Sequence, residues 1–206
     1  MPQQFVRQAG FSMIEFLITI AFLVVLLSVA VPSFGNLRDG ERASQILELT
    51  EELGRACERH RKDTGRPAIE FSPARGGHSY SQPRFHELSM PQPLPGWKGP
   101  YLASPLSLDQ NPYGAAIYLQ NRLGASPANG FDLHGSGKSE QTGAGQFVVF
   151  YGIPERVARE IDQRLDGSLE DLDGSWRLNG RVEWIPSSGG ALSIFISSEA
   201  FESGSR

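Results

Sequence analysis

Glu15 is the residue whose type and position first ask for an explanation. It stands at the head of an apolar run, Phe16 to Val31, reading FLITIAFLVVLLSVAV, sixteen residues with no charge, glycine or proline. A carboxylate inside such a run costs roughly 2.5–3.5 kcal/mol on insertion scales when central and less near an interface. Something must compensate it. The other groups able to do chemistry are dispersed. Cys57 is the single cysteine, so no intrachain disulfide can form. It falls on a helical apolar stripe, where a small buried residue is expected rather than a reactive thiol. His60, His78, His86 and His134 lack metal-ligand spacing. Asp166, Glu170, Asp171 and Asp173 sit close together, and hard cations take several oxygens from one short loop. Leucines interleave them, however, and no acid stands at the twelfth position, so a solvated acidic turn is expected. There is no Gly-x-Ser-x-Gly elbow and no phosphate loop, and the only histidine near Cys57 is His60 on the same helix. No enzyme is expected.

The elements that position these residues emerge from the pattern. Of 206 residues, the first 35 or so are strongly apolar and the rest have the composition of an ordinary folded domain. That remainder suffices for one core. A net charge of -4 supplies no basic field, so no nucleic acid is held by bulk charge. Phe11 to Val31 as a helix would be about 31 Å long, close to the hydrocarbon thickness of a bilayer. Pro32 then predicts either a kink near Ser28 or a helix stop, with Gly35 and Gly40 further weakening any helix beyond it. Residues 41–62 place Ile46, Leu49, Leu53, Cys57 and His60 at spacings of three and four, which predicts an amphipathic helix lying on a core. Asp63-Thr64-Gly65-Arg66-Pro67 supplies its stop. Residues 67–114, rich in proline and glycine but also aromatic, predict an ordered loop packed by Trp97, Tyr101 and Tyr113. Strands are expected at 115–119, 146–151, 181–185 and 191–197. A helix is expected at 154–165, with Pro154 in its first turn and Val157, Ala158, Ile161 and Leu165 on one face. Together these predict a mixed sheet against a helix.

Three readings fit the N-terminal segment. Arg7, an apolar stretch and Ser28-Val29-Ala30 have the layout of a removed signal peptide, although Glu15 weakens such a signal. An uncut signal anchor, carrying an extracytoplasmic binding domain that never polymerises, would merely tolerate Glu15. The third reading accounts for it. Ala9-Gly10-Phe11-Ser12-Met13-Ile14-Glu15-Phe16-Leu17 resembles the cleavage motif of type IV pilins and type II secretion pseudopilins.

That resemblance implies that a prepilin peptidase cuts between Gly10 and Phe11 at the cytoplasmic side, that the new amine of Phe11 is N-methylated, and that the anchor is retained. It implies four segments: a leader at 1–10, a transmembrane and polymerisation helix at 11–34, its amphipathic extension at 35–66, and an extracytoplasmic domain at 67–206. The implied fold is α+β and pilin-like, a long N-terminal helix, transmembrane then amphipathic, packed on a small antiparallel sheet. The implied partners are the peptidase, other pilin or pseudopilin subunits and an inner-membrane assembly platform, and the implied place is the inner membrane with the domain in the periplasm. Glu15 of one subunit would meet the Phe11 amine of a neighbour, turning two costly charges into one pair that fixes register. Arg7 on one flank against Arg38 and Arg42 on the other does not favour a cytoplasmic N-terminus, so orientation rests on the resemblance.

Two weaker resemblances concern the domain. Gly96-Trp97-Lys98-Gly99-Pro100-Tyr101-Leu102 with the later Asn111-Pro112-Tyr113-Gly114 resembles the loop of major pseudopilins, whose acidic C-terminal loop binds calcium. Here Asn111-Pro112-Tyr113-Gly114 replaces that family's Asp-Pro-Trp-Gly, and the acidic loop is reduced to Asp132 and Glu140. No cofactor is expected, calcium being the one candidate. Gly152-Ile153-Pro154 with its helix, and the later LDGSLEDLDGSWRLNGRVEW, resemble the C-terminal part of type IVb pilins, which is usually pinned by a disulfide that one cysteine cannot make.

Overall fold

The computed structural model describes residues 12–72, 82–122, 131–133, 145–167, 176–186 and 189–198, with backbone alone at 29–36, 122, 145 and 198. The chain divides into two compact units, Met1–Asp39 and Gly40–Arg206.

Helix α1 runs Met13–Thr64. The helix continues through Pro32, so the stop expected there does not occur. In the first unit the side chains of 13–27 are apolar apart from Glu15 and Thr19, and the large ones are exposed. In the second unit the pattern changes to a stripe. Ala43, Ile46, Leu49, Leu53, Ala56, Cys57 and His60 are buried, while Glu48, Glu51, Glu52, Arg55 and Glu58 lie on the outer face. The spacing of three and four brings these apolar residues onto one side, and removing them from water is what holds this length helical. Gly65 ends the helix in the left-handed region at φ 68, its N–H reaching the carbonyl of Arg61 at 2.7 Å.

Beyond α1 come five strands: β1 Glu70–Phe71, β2 Ile117–Arg122, β3 Gly145–Tyr151, β4 Val182–Ile185 and β5 Ala191–Ser198, with helix α2, Glu155–Leu165, between β3 and β4. They form one sheet in the order β1-β2-β3-β5-β4, and every neighbouring pair is antiparallel. The mixed sheet expected from the order of elements is thus corrected to an antiparallel one, in agreement with the α+β fold with an antiparallel sheet that is also expected. Consecutive or near-consecutive strands turn back on each other, and no crossover restores a parallel neighbour. The expected strand at 115–119 begins and ends later, and Pro154 is the residue before α2 rather than part of its first turn.

Registers Ile117↔Phe150, Leu119↔Val148, Val148↔Ile194, Phe150↔Leu192 and Trp184↔Leu192 bring these side chains to one face. That face, the stripe of α1 and Val157, Ala158 and Ile161 of α2 make the main core. Phe147, Val149 and Phe195 point the other way and meet Phe131 in a second core. The near-continuous apolar run of β3 reflects this, because a strand covered on both faces does not alternate. The loop between β1 and β2 is ordered over its described part. Trp97 Nε1 donates to the carbonyl of Glu87 at 3.0 Å, and Tyr101 is buried with its hydroxyl donating to Asp63 Oδ2 at 3.1 Å. Asn111 Nδ2 donates to the carbonyl of Tyr151 at 2.9 Å, and the guanidinium of Arg42 lies 4.7 Å from the Tyr113 ring centre.

Candidate functional site

The expected cleavage and methylation residues, Gly10 and Phe11, lie outside the described residues, and Glu15 is described. Its Oε2 accepts the backbone N–H of Ser12 at 2.9 Å, and the Oγ of Ser12 accepts the N–H of Ile14 at 3.4 Å. Thr19 Oγ1 donates to the Glu15 carbonyl at 2.7 Å, and Ser28 Oγ donates to that of Val25 at 2.7 Å, so the hydroxyls of the rod are spent within their own helix. Around Glu15 stand twelve large apolar side chains from Met13 to Leu27, each 41–81% exposed, on all sides of the helix. Among the described residues no helix is long and apolar enough to cross a membrane. The stretch of α1 described with side chains before residue 29 is itself only about 24 Å long at 1.5 Å per residue.

In the domain, Asp166 is the one described residue of the four acids that the sequence places close together. Asp166 caps the end of α2, and its Oδ2 accepts the N–H groups of Arg181 at 2.8 Å and Val182 at 3.1 Å, fixing the entry to β4. Gly180, at φ 83, brings the chain so near Asp166 that a Cβ there would lie 2.5 Å from Oδ2. Burial raises the Asp166 carboxyl above its usual range against the pull of these N–H groups. Glu170, Asp171 and Asp173 lie outside the described residues. Asp132 is buried, and its carbonyl accepts the N–H of Gly180 at 2.6 Å. Glu140 lies outside the described residues, as do His78 and His134.

His60 is buried against Tyr101 with Nδ1 3.0 Å from the carbonyl of Arg66. Its Nε2 has no hydrogen-bond partner, and burial lowers its pKa. His86 sits 3.0 Å from Glu70 Oε1, which also accepts the hydroxyl of Ser89 at 2.6 Å, while Leu88 N–H reaches Oε2 at 2.9 Å. This buried knot ties β1 to the loop, and burial raises the Glu70 carboxyl. Cys57 lines a cleft of about 370 Å³ between α1 and the ends of β3 and β5, with Gly54, Arg61, Gln146, Ile196 and Ser197. Among the described residues no three of His, Cys, Asp and Glu stand close enough to hold a metal ion.

Two features go beyond the expectations from sequence. Ser12-x-x-Glu15 has the pattern of a capping box, legible once the carboxylate is considered for its own helix. Glu183, on β4, is only 1% exposed, and its Oε2 has no hydrogen-bond partner. Burial pushes its carboxyl up to about 9, so it carries its proton at neutral pH. Alternation with Val182 and Trp184 assigns it to the second face of the sheet, opposite Ser193, but gives no sign that this face is covered.

The chain matches no protein-family model, no curated protein and no solved structure.

Proposed function

We propose that this protein is a structural subunit of a type IV pilus or a type II secretion pseudopilus. In this reading a prepilin peptidase cuts after Gly10, the amine of Phe11 is methylated, and the first unit of α1 anchors the chain in the inner membrane. Subunits then pack through it on an assembly platform, with the domain in the periplasm. The carrying observation is the apolar rod. Twelve large side chains exposed on every side of one helix need a cover from outside the chain, because no stripe exists with which to lie on a core of its own.

Magnitudes favour lipid first and other copies afterwards. Burying an apolar side chain is worth about 1.5–3 kcal/mol, so twelve of them outweigh several-fold the roughly 2.5–3.5 kcal/mol that one central carboxylate costs. Glu15 therefore does not prevent insertion. Its unfavourable term is removed when a cationic amine of a neighbouring copy pairs with it, and wrong axial offsets leave both charges unpaired. The fold accords with such a subunit at the coarse level: a long N-terminal helix whose later part packs on an antiparallel sheet.

The test is Glu15→Ala. Membrane fractionation should be unchanged, whereas the yield of chemically cross-linked oligomers should fall at least fivefold. Oligomers at the original level would contradict the pairing.

A further inference from the structure

We infer that Glu15 serves its own helix before it serves any neighbour: its carboxylate caps the amide of Ser12 and so fixes where α1 begins. Ser12 N–H donates to Glu15 Oε2 at 2.9 Å, and Ser12 Oγ accepts the N–H of Ile14 at 3.4 Å. The carbonyl of Ser12 accepts the N–H of Phe16 at 3.2 Å, a bond of helical spacing that makes Ser12 the residue flanking the first turn at Met13. The glutamate takes the amide of Ser12 and the Ser12 hydroxyl takes that of Ile14, so two amide groups that a helix start leaves unpaired find partners.

The medium makes this exchange matter. In hydrocarbon an amide at a helix start has no water to turn to, and a carboxylate is favoured by the positive end of the helix dipole. Each group thus lowers the penalty of the other. Among the described residues no donor reaches Oε1, so one oxygen is engaged by Ser12 and the other faces outward.

Both bonds use groups that a cut after Gly10 leaves intact, because the amide of Ser12 stays an amide when Phe11 becomes the first residue. The cap is present in the uncut and the cut chain alike, whereas a pair with the Phe11 amine of a neighbour requires the cut. Glu15 would therefore hold two successive roles, separable by charge: capping needs an acceptor oxygen, and pairing needs a negative one. This division rests on the proposed assembly; the capping half does not.

The experiment compares the full chain with Glu15→Gln and Glu15→Ala. Hydrogen exchange at the Ser12 amide, taken relative to its intrinsic rate, is measured on the uncut chain in detergent micelles, and cross-linked oligomers are measured on the processed chain in membranes. Gln retains an acceptor, so exchange should stay within about twofold of the original, while Ala should speed it about fivefold, the usual effect of losing a cap. Oligomers should fall in both variants. Equal exchange in the original chain and Glu15→Ala would overturn the cap and leave the proposed assembly standing. Undiminished oligomers in Glu15→Gln would overturn the pairing, and with it the division of roles, even where exchange supports the cap.

Discussion

One helix carries two kinds of surface. Before residue 29, α1 is apolar all round, with Phe22, Leu23 and Leu26 all exposed; from residue 43 onward it is apolar along one stripe, with Ile46 and Leu53 fully buried. The residue types overlap, Leu and Ile serving in both, and the difference is periodicity. A stripe can be covered by the chain's own sheet, as Leu119, Val148 and Ile194 cover this one. A rod apolar on every side cannot be covered that way, and its cover must come from outside that core.

The sharpest way to break this comparison is to separate the halves. A chain beginning at Gly40 should remain in solution without detergent and unfold cooperatively, while the full chain should fractionate with membranes. A shortened chain that aggregates or fails to unfold cooperatively would mean that the domain depends on the rod. Next in size are matched truncations. Leu53→Ala leaves a cavity beneath the sheet and should lower domain stability by about 2–5 kcal/mol in denaturant unfolding, whereas Leu23→Ala should change it by less than about 0.5 kcal/mol. Equal effects would remove the distinction between stripe and rod.

Glu183 sharpens the domain side of the comparison. Its folded carboxyl titrates at about 9, and in the unfolded chain near 4.5. Between those values the unfolded chain has released the proton while the folded chain keeps it. The contribution to stability is thus full below about 4.5 and is lost as pH rises toward 9. Glu183→Gln should match the original chain within about 1 kcal/mol at pH 4.5 and exceed it by roughly 4 kcal/mol at pH 8. Parallel pH profiles would contradict the burial. Smaller still is Asp166→Ala, which strands the N–H groups of Arg181 and Val182 and should cost about 1–3 kcal/mol; Asp166→Asn, keeping an acceptor, should recover most of that in the same unfolding measurement.

Local pattern makes much of this fold legible in the sequence. The stripe Ile46, Leu49, Leu53, Cys57, His60 is buried in full, α2 buries Val157, Ala158 and Ile161, and β3, β4 and β5 lie within a residue of their expected limits. Non-local contacts are not legible. The knot of Glu70 with His86 and Ser89 joins residues 16 and 19 apart, and no spacing rule anticipates it. The order of elements alone suggests a mixed sheet, whereas the pairing is antiparallel throughout, because pairing depends on which neighbours meet, which no single strand encodes. Glu183 shows its face by alternation but not its cover. At the N-terminus one residue carries two signals. The resemblance to a cleavage motif would assign Glu15 to a neighbouring subunit, while Ser12, three residues before it, supplies a partner within the chain.

The most direct test of the central claim is the intact mass and N-terminal sequence of the protein recovered from membranes of cells that produce a prepilin peptidase. The proposed function predicts loss of residues 1–10 and a first residue, Phe11, carrying one added methyl group. A chain beginning at Val31, or one still beginning at Met1, would contradict it.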